Sequence, residues 1–528
     1  MPAVPRSILK LGARLLSARA ARRLRTADPA PAQKEAFHTL TGKLSKGYIW
    51  SRLGVEPGMT YEAFRTRVPL QTYDDLKPHI ERMRTGSTDV LWPGTCHIYC
   101  STSGTETGVR RQIPMTEAMI DHFRQAGLDS VLWYTARVRS SSIFNGRHLL
   151  LAGSTALNPI KESEPFEAYE GDLSGISALN LPRWAEKHLY EPGSEIAQIP
   201  KWNEKIEAIA RRTEKANITL FGGMPDKALE LAGMIRARAA AKGKPPRSLR
   251  DIWPNLECFV HWGIPVDPFQ EDLRTLLGAS VHFHEVYSST EAFVAAQDAT
   301  AQEGLRVIAD AGVFYEFLPI ADYDPSRLKQ LGKKTVPLSE VATGVDYATV
   351  LTTPSGFARY VSGDVVRFVS TKPARLLCMG RTGLRLDSFG EQVCERELTE
   401  ALSILCRRNG WTIVNFHVAP LTTDGSLGRV RGRHEWWVEL KAGTTITPTG
   451  PIMAPELDAE LVRLNPAYRS KRESGVLEAP FVRLVMPGVF EQWSRFHGRW
   501  EGQSKMPRCR SDRSIADELG GALQFAKD

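Results

Sequence analysis

Between residues 96 and 320, short runs of β-branched and aromatic residues alternate with helical patterns, and no other feature of the chain limits its fold as strongly. "CHIYC", "RHLLLAGS", "NITLFGG", "LECFVHWG", "SVHFHEVYS" and "VFYEFLP" read as strands. Residues 201–213 and 225–242 read as helices between them. Elements that alternate in this way each bury one face against the next layer, which predicts an α/β architecture. Further strands follow in "YATVLTT", "FARYVSGDVVRFVS" and "RLLCMGR".

After Arg381 the texture changes. "CERELTEALSILCRRNG" and "APELDAELVRLNPAYRSKRES" each read as one amphipathic helix. "WTIVNFHVAPL", "RHEWWVELKAG" and "FVRLVMPGVF" read as strands of a small sheet. At 528 residues the chain is also too long for a single core. The expectation is a large multi-layer N-terminal α/β domain, with β-sheets and packed helices, over residues 1–384. A small mobile C-terminal α+β domain is expected over 385–528. In "HEWWVELK" one tryptophan is expected in the core and one exposed.

The net charge of +8 points to nucleic acid until it is located. Arg6, Lys10, Arg14, Arg19, Arg22, Arg23 and Arg25 fall in the first 27 residues with no acid among them, leaving about +1 for the rest. A near-neutral body excludes a nucleic-acid-binding surface as the main function. With Ile8, Leu9, Leu11, Leu15 and Leu16, residues 1–27 form a short basic amphipathic helix. Two readings stand: weak contact with a membrane surface or an organelle presequence, or a helix packed on the domain. No apolar run of eighteen residues exists to span a bilayer. Seven cysteines, an odd number without a C-x-x-C pair, read as core thiols of a cytoplasmic protein.

Four stretches carry candidate chemistry. In "CSTSGTETGVRRQIP" a strand runs into a loop of Ser, Thr and Gly and then into what reads as a basic helix start. Hydroxyls, free amides and arginine can surround phosphate, and a plain polar turn has the same composition. It is not the Walker pattern. In "EVYSSTEA" Glu291 can hold Mg²⁺ and Thr290 can donate to a phosphate, or the run is a Ser/Thr cap before a helix. In "YVSGDVVRF" Asp364 can accept both hydroxyls of a ribose, or it is a turn aspartate. In "GRTGLRLDSFGEQ" Arg381 stands at the proposed boundary. His282 and His284 share one side of a strand without an evident third metal ligand.

Taken in order, these motifs resemble those of the adenylate-forming superfamily of acyl-CoA synthetases, adenylation domains and luciferases. Within it the chain is similar to the Gretchen Hagen 3 family of acyl acid amido synthetases, and to its bacterial branch. "SGTETGVRRQIP", "WPNLECFVHWG", "FYEFLP", "LNPAYRSKRESGVLEAPFVRLVMPGVF" and "GRWEGQSKMPR" carry the likeness over about residues 30–510. The resemblance implies a ligase that uses ATP and Mg²⁺. It joins a small carboxylic acid to AMP and then to an amine, usually that of an amino acid. A thioester ligase on the same fold and a non-catalytic binding member remain the alternatives.

By the same resemblance Ser103, Gly104, Thr105 and Arg111 handle the phosphates, with Ser289 and Thr290 near the α-phosphate. Glu291 binds the metal, Tyr315 and Glu316 lie by the nucleotide, and Asp364 holds the ribose. Arg381 reaches ribose or phosphate, and Lys505 neutralises charge in adenylation. Lys505, Thr290 and Arg381 form the expected catalytic set. The small domain is expected to rotate between half-reactions, in a monomer or a dimer. Two departures stand out. Glu106 puts a negative charge into the loop, and Gln392 replaces a cation in "FGEQ".

Overall fold

The computed structural model describes residues 6–25, 28–102, 110–243, 245–423, 431–441, 448–497 and 506–525. These divide into two compact units. One holds the chain up to residue 378 apart from 265–271, and the other holds 265–271 and residues 379 onward.

The first unit is built on a sheet of twelve strands. Arg147–Leu150, Ile218–Gly223, Cys258–His261 and His282–Ser288 run parallel to their neighbours, with Tyr190–Glu191 beyond them. Ile218–Gly223 and Cys258–His261 are buried at every position, as parallel strands with helices on their faces must be. The helices Trp202–Thr213 and Pro225–Ala241 fall where the periodicity placed them. His282–Ser288 is the seam. It pairs parallel with Cys258–His261 on one side and antiparallel with Phe293–Ala296 on the other. Beyond it the sheet is antiparallel, through Leu305–Val307, Ala374–Arg381, Tyr360–Thr371, Asp346–Thr352 and Phe314–Pro319. A separate four-stranded sheet contains Ile98–Ser101 and Gln112–Pro114 as a hairpin.

The basic N-terminal segment forms the helix Arg6–Arg23 and packs on the long helix Glu117–Arg137. Ala20 is buried there, Ser17 bonds Thr135 at 2.7 Å, and Arg23 bridges Asp129 at 2.8 Å and Asp310. Of the two readings of this segment, the packed helix is the one its described residues adopt. Among the described residues no helix is long and apolar enough to cross a membrane. All seven cysteines are free thiols, six of them buried.

In the second unit, Ile413–Thr423, Arg431–Leu440 and Phe481–Leu484 form a three-stranded sheet. One face packs the helices Glu395–Asn409 and Gly450–Leu464, and the other packs Val489–Phe496 and Ser514–Phe525. Both faces are therefore covered, so Trp436 and Trp437 are both buried, and the expectation of one exposed ring fails. The single helix expected over "APELDAELVRLNPAYRSKRES" is two. Asn465 is extended before Pro466, and its side chain accepts from the Tyr468 amide to cap the second helix. "FVRLVMPGVF" holds a strand only to Leu484 and then enters a helix.

The core of the first unit contains one complete ion pair. Arg359 and Glu316 are 0% and 1% exposed and meet at 2.9 Å. The Arg359 guanidinium also donates to the carbonyls of Arg65, Val68 and Gly332. Arg359→Met leaves Glu316 buried and uncompensated. It should lower unfolding stability by about 3–5 kcal/mol in a denaturant titration, and adding Glu316→Leu should recover most of that loss.

The same unit buries four neutral imidazoles. Burial pushes His122 and His148 down to about 4, and His261 and His284 down to about 3. Their folded values lie below the unfolded one, so stability is complete above pH 6.5 and falls as the pH drops toward 4. Each imidazole contributes up to about 1.4 kcal/mol per pH unit to that fall. Denaturant midpoints from pH 7 to 4 should drop steadily, and His261→Phe should flatten the slope by about one proton.

Candidate active site

At the carboxyl end of the seam strand the chain turns through residues 289–292, where open α/β sheets bind ligands. The Ser289 amide donates to the Ala292 carbonyl at 2.9 Å, and the Ser289 hydroxyl accepts from the amides of Glu291 and Ala292. The chain then returns as the strand Phe293–Ala296, so the reading of this run as a cap before a helix does not hold. Glu291 is 5% exposed. Thr290 Oγ1 donates to its Oε2 at 2.7 Å, and the Tyr360 hydroxyl approaches its Oε1 at 3.4 Å.

Among the described residues no Lys, Arg or His pairs with Glu291. Among the described residues the other acids of this unit buried as deeply meet arginines, Asp129 among them with Arg23. Glu191 has Arg147 and Arg212, Asp298 has Arg306 and Arg375, and Glu316 has Arg359. A buried carboxylate held only by hydroxyl donors keeps its full negative charge, which a cation could offset. Among the described residues no cluster of three or more His, Cys, Asp or Glu forms a ready-made metal cage. A single carboxylate fits Mg²⁺, which keeps waters and takes few protein ligands.

The second carboxylate is Asp364, on the strand Tyr360–Thr371. The pairing with Asp346–Thr352 slips between Ala348 and Val350, which bulges this strand across residues 362–364. Gly363 takes φ 87° there, a conformation that favours glycine. The Ser362 hydroxyl accepts from the Asp364 amide, and Tyr287 donates its hydroxyl to Asp364 Oδ2 at 2.7 Å. Two reciprocal pairs result. Tyr287, on the seam strand, serves Asp364, and Tyr360, on the Asp364 strand, serves Glu291.

Ser103, Gly104, Thr105 and Glu106 lie outside the described residues, as does Lys505. The residues flanking the loop are described. Thr102 and Arg111 close the hairpin by amide–carbonyl and amide–hydroxyl bonds of 2.9 and 3.0 Å. Arg110 and Arg111 therefore enter a strand, not the expected helix start. The helix begins at Glu117, behind the Thr116 cap. The Arg111 guanidinium sits over the Tyr73 ring, 5.6 Å from its centroid. Cys100, buried one residue before Ser101, has its thiol pushed well up by burial and by the nearby carboxylates of Asp172 and Glu291. Asp172 is itself raised by burial, against the charges of Arg110 and Lys205. The hairpin, Asp172 and the 289–292 turn are thus neighbours.

The structure does not place the side chains of Tyr315 and Glu316 at a nucleotide site. Tyr315 is fully buried in the core, where its amide donates to Gln33 Oε1 at 2.9 Å. The Glu316 carboxylate is occupied by Arg359, Tyr61 and Thr335. Arg381 belongs to the second unit, where its carbonyl accepts from the Leu384 amide. Gln392 has φ 48°, and its carbonyl accepts from Asn465. His284 is buried against the Ser130 hydroxyl at 3.1 Å, and His282 bonds the Tyr134 hydroxyl at 3.0 Å, so the two have separate partners. Sequence reasoning passed over Tyr287 and Tyr360 as carboxylate partners, although both motifs open on them.

Residues 22–281 match the GH3 family N-terminal domain, 306–381 its central domain and 396–514 its C-terminal domain. The chain belongs to the GH3 family. Its similar relatives include the indole-3-acetic acid-amido synthetase GH3.8 of Oryza sativa subsp. indica, 24% identical over 90% of this chain and 87% of that one. Indole-3-acetic acid-amido synthetase GH3.3 of Arabidopsis thaliana is 22% identical over 92% and 90%. Among solved structures, the GH3 member AtGH3.15 acyl acid amido synthetase, in complex with 2,4-DB, superposes with TM-score 0.69 at 17% identity, covering 99% of this chain and 97% of that one. 2-Hydroxyisobutyryl-CoA ligase, in a postadenylation state with R3-HIB-AMP, gives TM-score 0.58 at 15% identity over 94% and 91%. The chain therefore has the adenylate-forming fold.

In this GH3 chain Glu291→Gln keeps the shape of the turn and removes its buried charge. In EDTA the variant should unfold above the wild type by about 1 kcal/mol or more, read as a higher thermal midpoint.

Proposed function

We propose that this chain is an AMP-forming ligase that activates a small carboxylic acid with ATP and passes the acyl group to an amine, that of an amino acid, forming an amide. The observation that carries the reading is Glu291, buried in a Tyr-x-x-Thr-Glu turn with no Lys, Arg or His partner among the described residues and bonded to the strand that presents Asp364. Membership of the GH3 family supports it, and so do relatives named as amido synthetases.

The chemistry fits the problem. An acid ionised at neutral pH does not accept an amine, because its leaving group is poor. When a carboxylate oxygen attacks the α-phosphorus of ATP, the bond to pyrophosphate breaks and a mixed anhydride forms. The amine nitrogen then attacks the acyl carbon, the bond to AMP breaks, and the nitrogen loses a proton. Both steps need negative charge stabilised on phosphate oxygens.

In this reading the loop at Ser103, Gly104 and Thr105, with Arg111, receives the phosphates. Ser289 and Thr290 lie by the α-phosphate, and Thr290 orients Glu291 through its hydrogen bond. Glu291 holds Mg²⁺, which when bound offsets charge on the departing pyrophosphate. Asp364, aimed by Tyr287, accepts the ribose hydroxyls. Lys505 falls in the small domain, proposed to run over residues 385–528, and Arg381 near the end of the large domain, proposed over 1–384. Tyr315 and Glu316 leave the ligand set and support the site from the core. The free thiols fit a cytoplasmic enzyme.

ATP–pyrophosphate exchange across a panel of carboxylic acids, followed by amide analysis with amino acids, tests the proposal. At least one acid should support exchange, and Glu291→Ala should lower the rate about 100-fold or more. Conjugation to coenzyme A but not to amines would make it a thioester ligase. ATP binding without AMP from any acid would make it a binding protein.

A further inference from the structure

Phe293 is the first residue after the carboxylate turn, and its backbone amide is held from outside the sheet. Phe293 is paired with Ser288, but the ladder slips between Phe293 and Ala295. The Phe293 N–H instead donates to Nε2 of His122 at 2.9 Å. An Nε2 that accepts must be unprotonated, so the ring proton is on Nδ1, which donates to the Ala311 carbonyl at 2.7 Å. His122 is 2% exposed, and burial keeps it neutral throughout the physiological range. Its two bonds tie the turn and the loop at residue 311 to one helix.

That helix, Glu117–Arg137, is anchored along its length. The Thr116 hydroxyl donates to the Pro354 carbonyl at 2.7 Å, Asp129 is bridged by Arg23, and Ser130 bonds His284 on the seam strand. Arg137 donates to the Phe283 carbonyl at 3.2 Å. The helix is thus fixed to the strand that enters the turn, and His122 fixes it to the strand that leaves.

We propose that His122 is a positioning residue for Glu291: by holding the Phe293 amide it sets where the turn presents its carboxylate. The inference rests on the reading of Glu291 as the Mg²⁺ ligand and goes beyond it, because His122 itself touches neither metal nor nucleotide. Holding the turn from a rigid helix keeps the carboxylate placed before ATP arrives, so cation binding need not order it.

The test is ATP affinity measured by calorimetry on the full chain, with Mg²⁺ and with EDTA. Wild type should bind ATP more tightly with Mg²⁺. His122→Phe removes both bonds and should reduce that Mg²⁺-dependent gain about 10-fold, leaving affinity in EDTA unchanged. His122→Gln, whose amide reaches the Nε2 position, should restore most of the gain, whereas the shorter His122→Asn should not. Trp253→Phe is the control for general loosening, since it removes a buried indole donation to the Thr213 carbonyl elsewhere in the unit. It should lower the thermal midpoint and keep the full gain. A full gain in His122→Phe, equal behaviour of the Gln and Asn variants, or an equal loss in Trp253→Phe overturns the role of His122. If His122→Phe does not fold, the Gln and Asn pair decides. A wild type with no Mg²⁺-dependent gain overturns the Glu291 reading itself, and this inference with it.

Discussion

A single buried guanidinium organises the region around the candidate site. Arg359 donates through its side chain to Glu316, Thr335 and three backbone carbonyls, so every nitrogen of its fork has a partner. Its own backbone takes φ 52°, unfavourable for an arginine, and is held there by bonds to Thr352 and Gln71. The next residue is Tyr360, which reaches Glu291, and four residues further on stands Asp364. A desolvated charge is tolerable only when fully hydrogen-bonded, and here the bonds come from the helix Tyr61–Arg67 and its end, the 325–334 segment and the strand Phe314–Pro319 together. The register of the strand that carries the site follows from that arrangement.

The division of labour among buried acids follows from the same rule. Several of the most buried carboxylates of the fold have an arginine beside them, as with Glu316, Asp298 and Glu191. The turn on the seam strand breaks the rule, at the point where the sheet changes from parallel to antiparallel. That change leaves a strand end with no crossover helix above it and a tight return in its place. Sites that break a local rule of stability are where function is expected.

Much of this was legible in the sequence. The continuous β-branched and aromatic runs of the parallel strands and the 3.6-period helices between them are strong signals, because both faces of those strands are buried. The carboxylates Glu291 and Asp364 stood out through their motif order. The partners did not. Arg359 and Glu316 are 43 residues apart, and His122 and Phe293 are 171 apart, and no local pattern announces a contact of that range. Tyr315 and Glu316 were assigned through the likeness of their stretch, which carries no information on the buried partners that both residues meet. The expectation of one exposed tryptophan failed because the helices Val489–Phe496 and Ser514–Phe525, which cover Trp437, were not recognised.

The choice of tyrosine as the partner of both site carboxylates has a physical consequence. A tyrosine hydroxyl gives a directional hydrogen bond, which fixes a carboxylate's orientation, and brings no positive charge. An arginine in place of Tyr360 would orient Glu291 equally well and would cancel its negative charge. Each tyrosine also comes from the strand that carries the other motif. The Tyr287–Asp364 and Tyr360–Glu291 bonds therefore lock two distant segments in register with each other. Displacing either strand moves both carboxylates at once, so the spacing between Glu291 and Asp364 is set by the sheet and not by the loops around it.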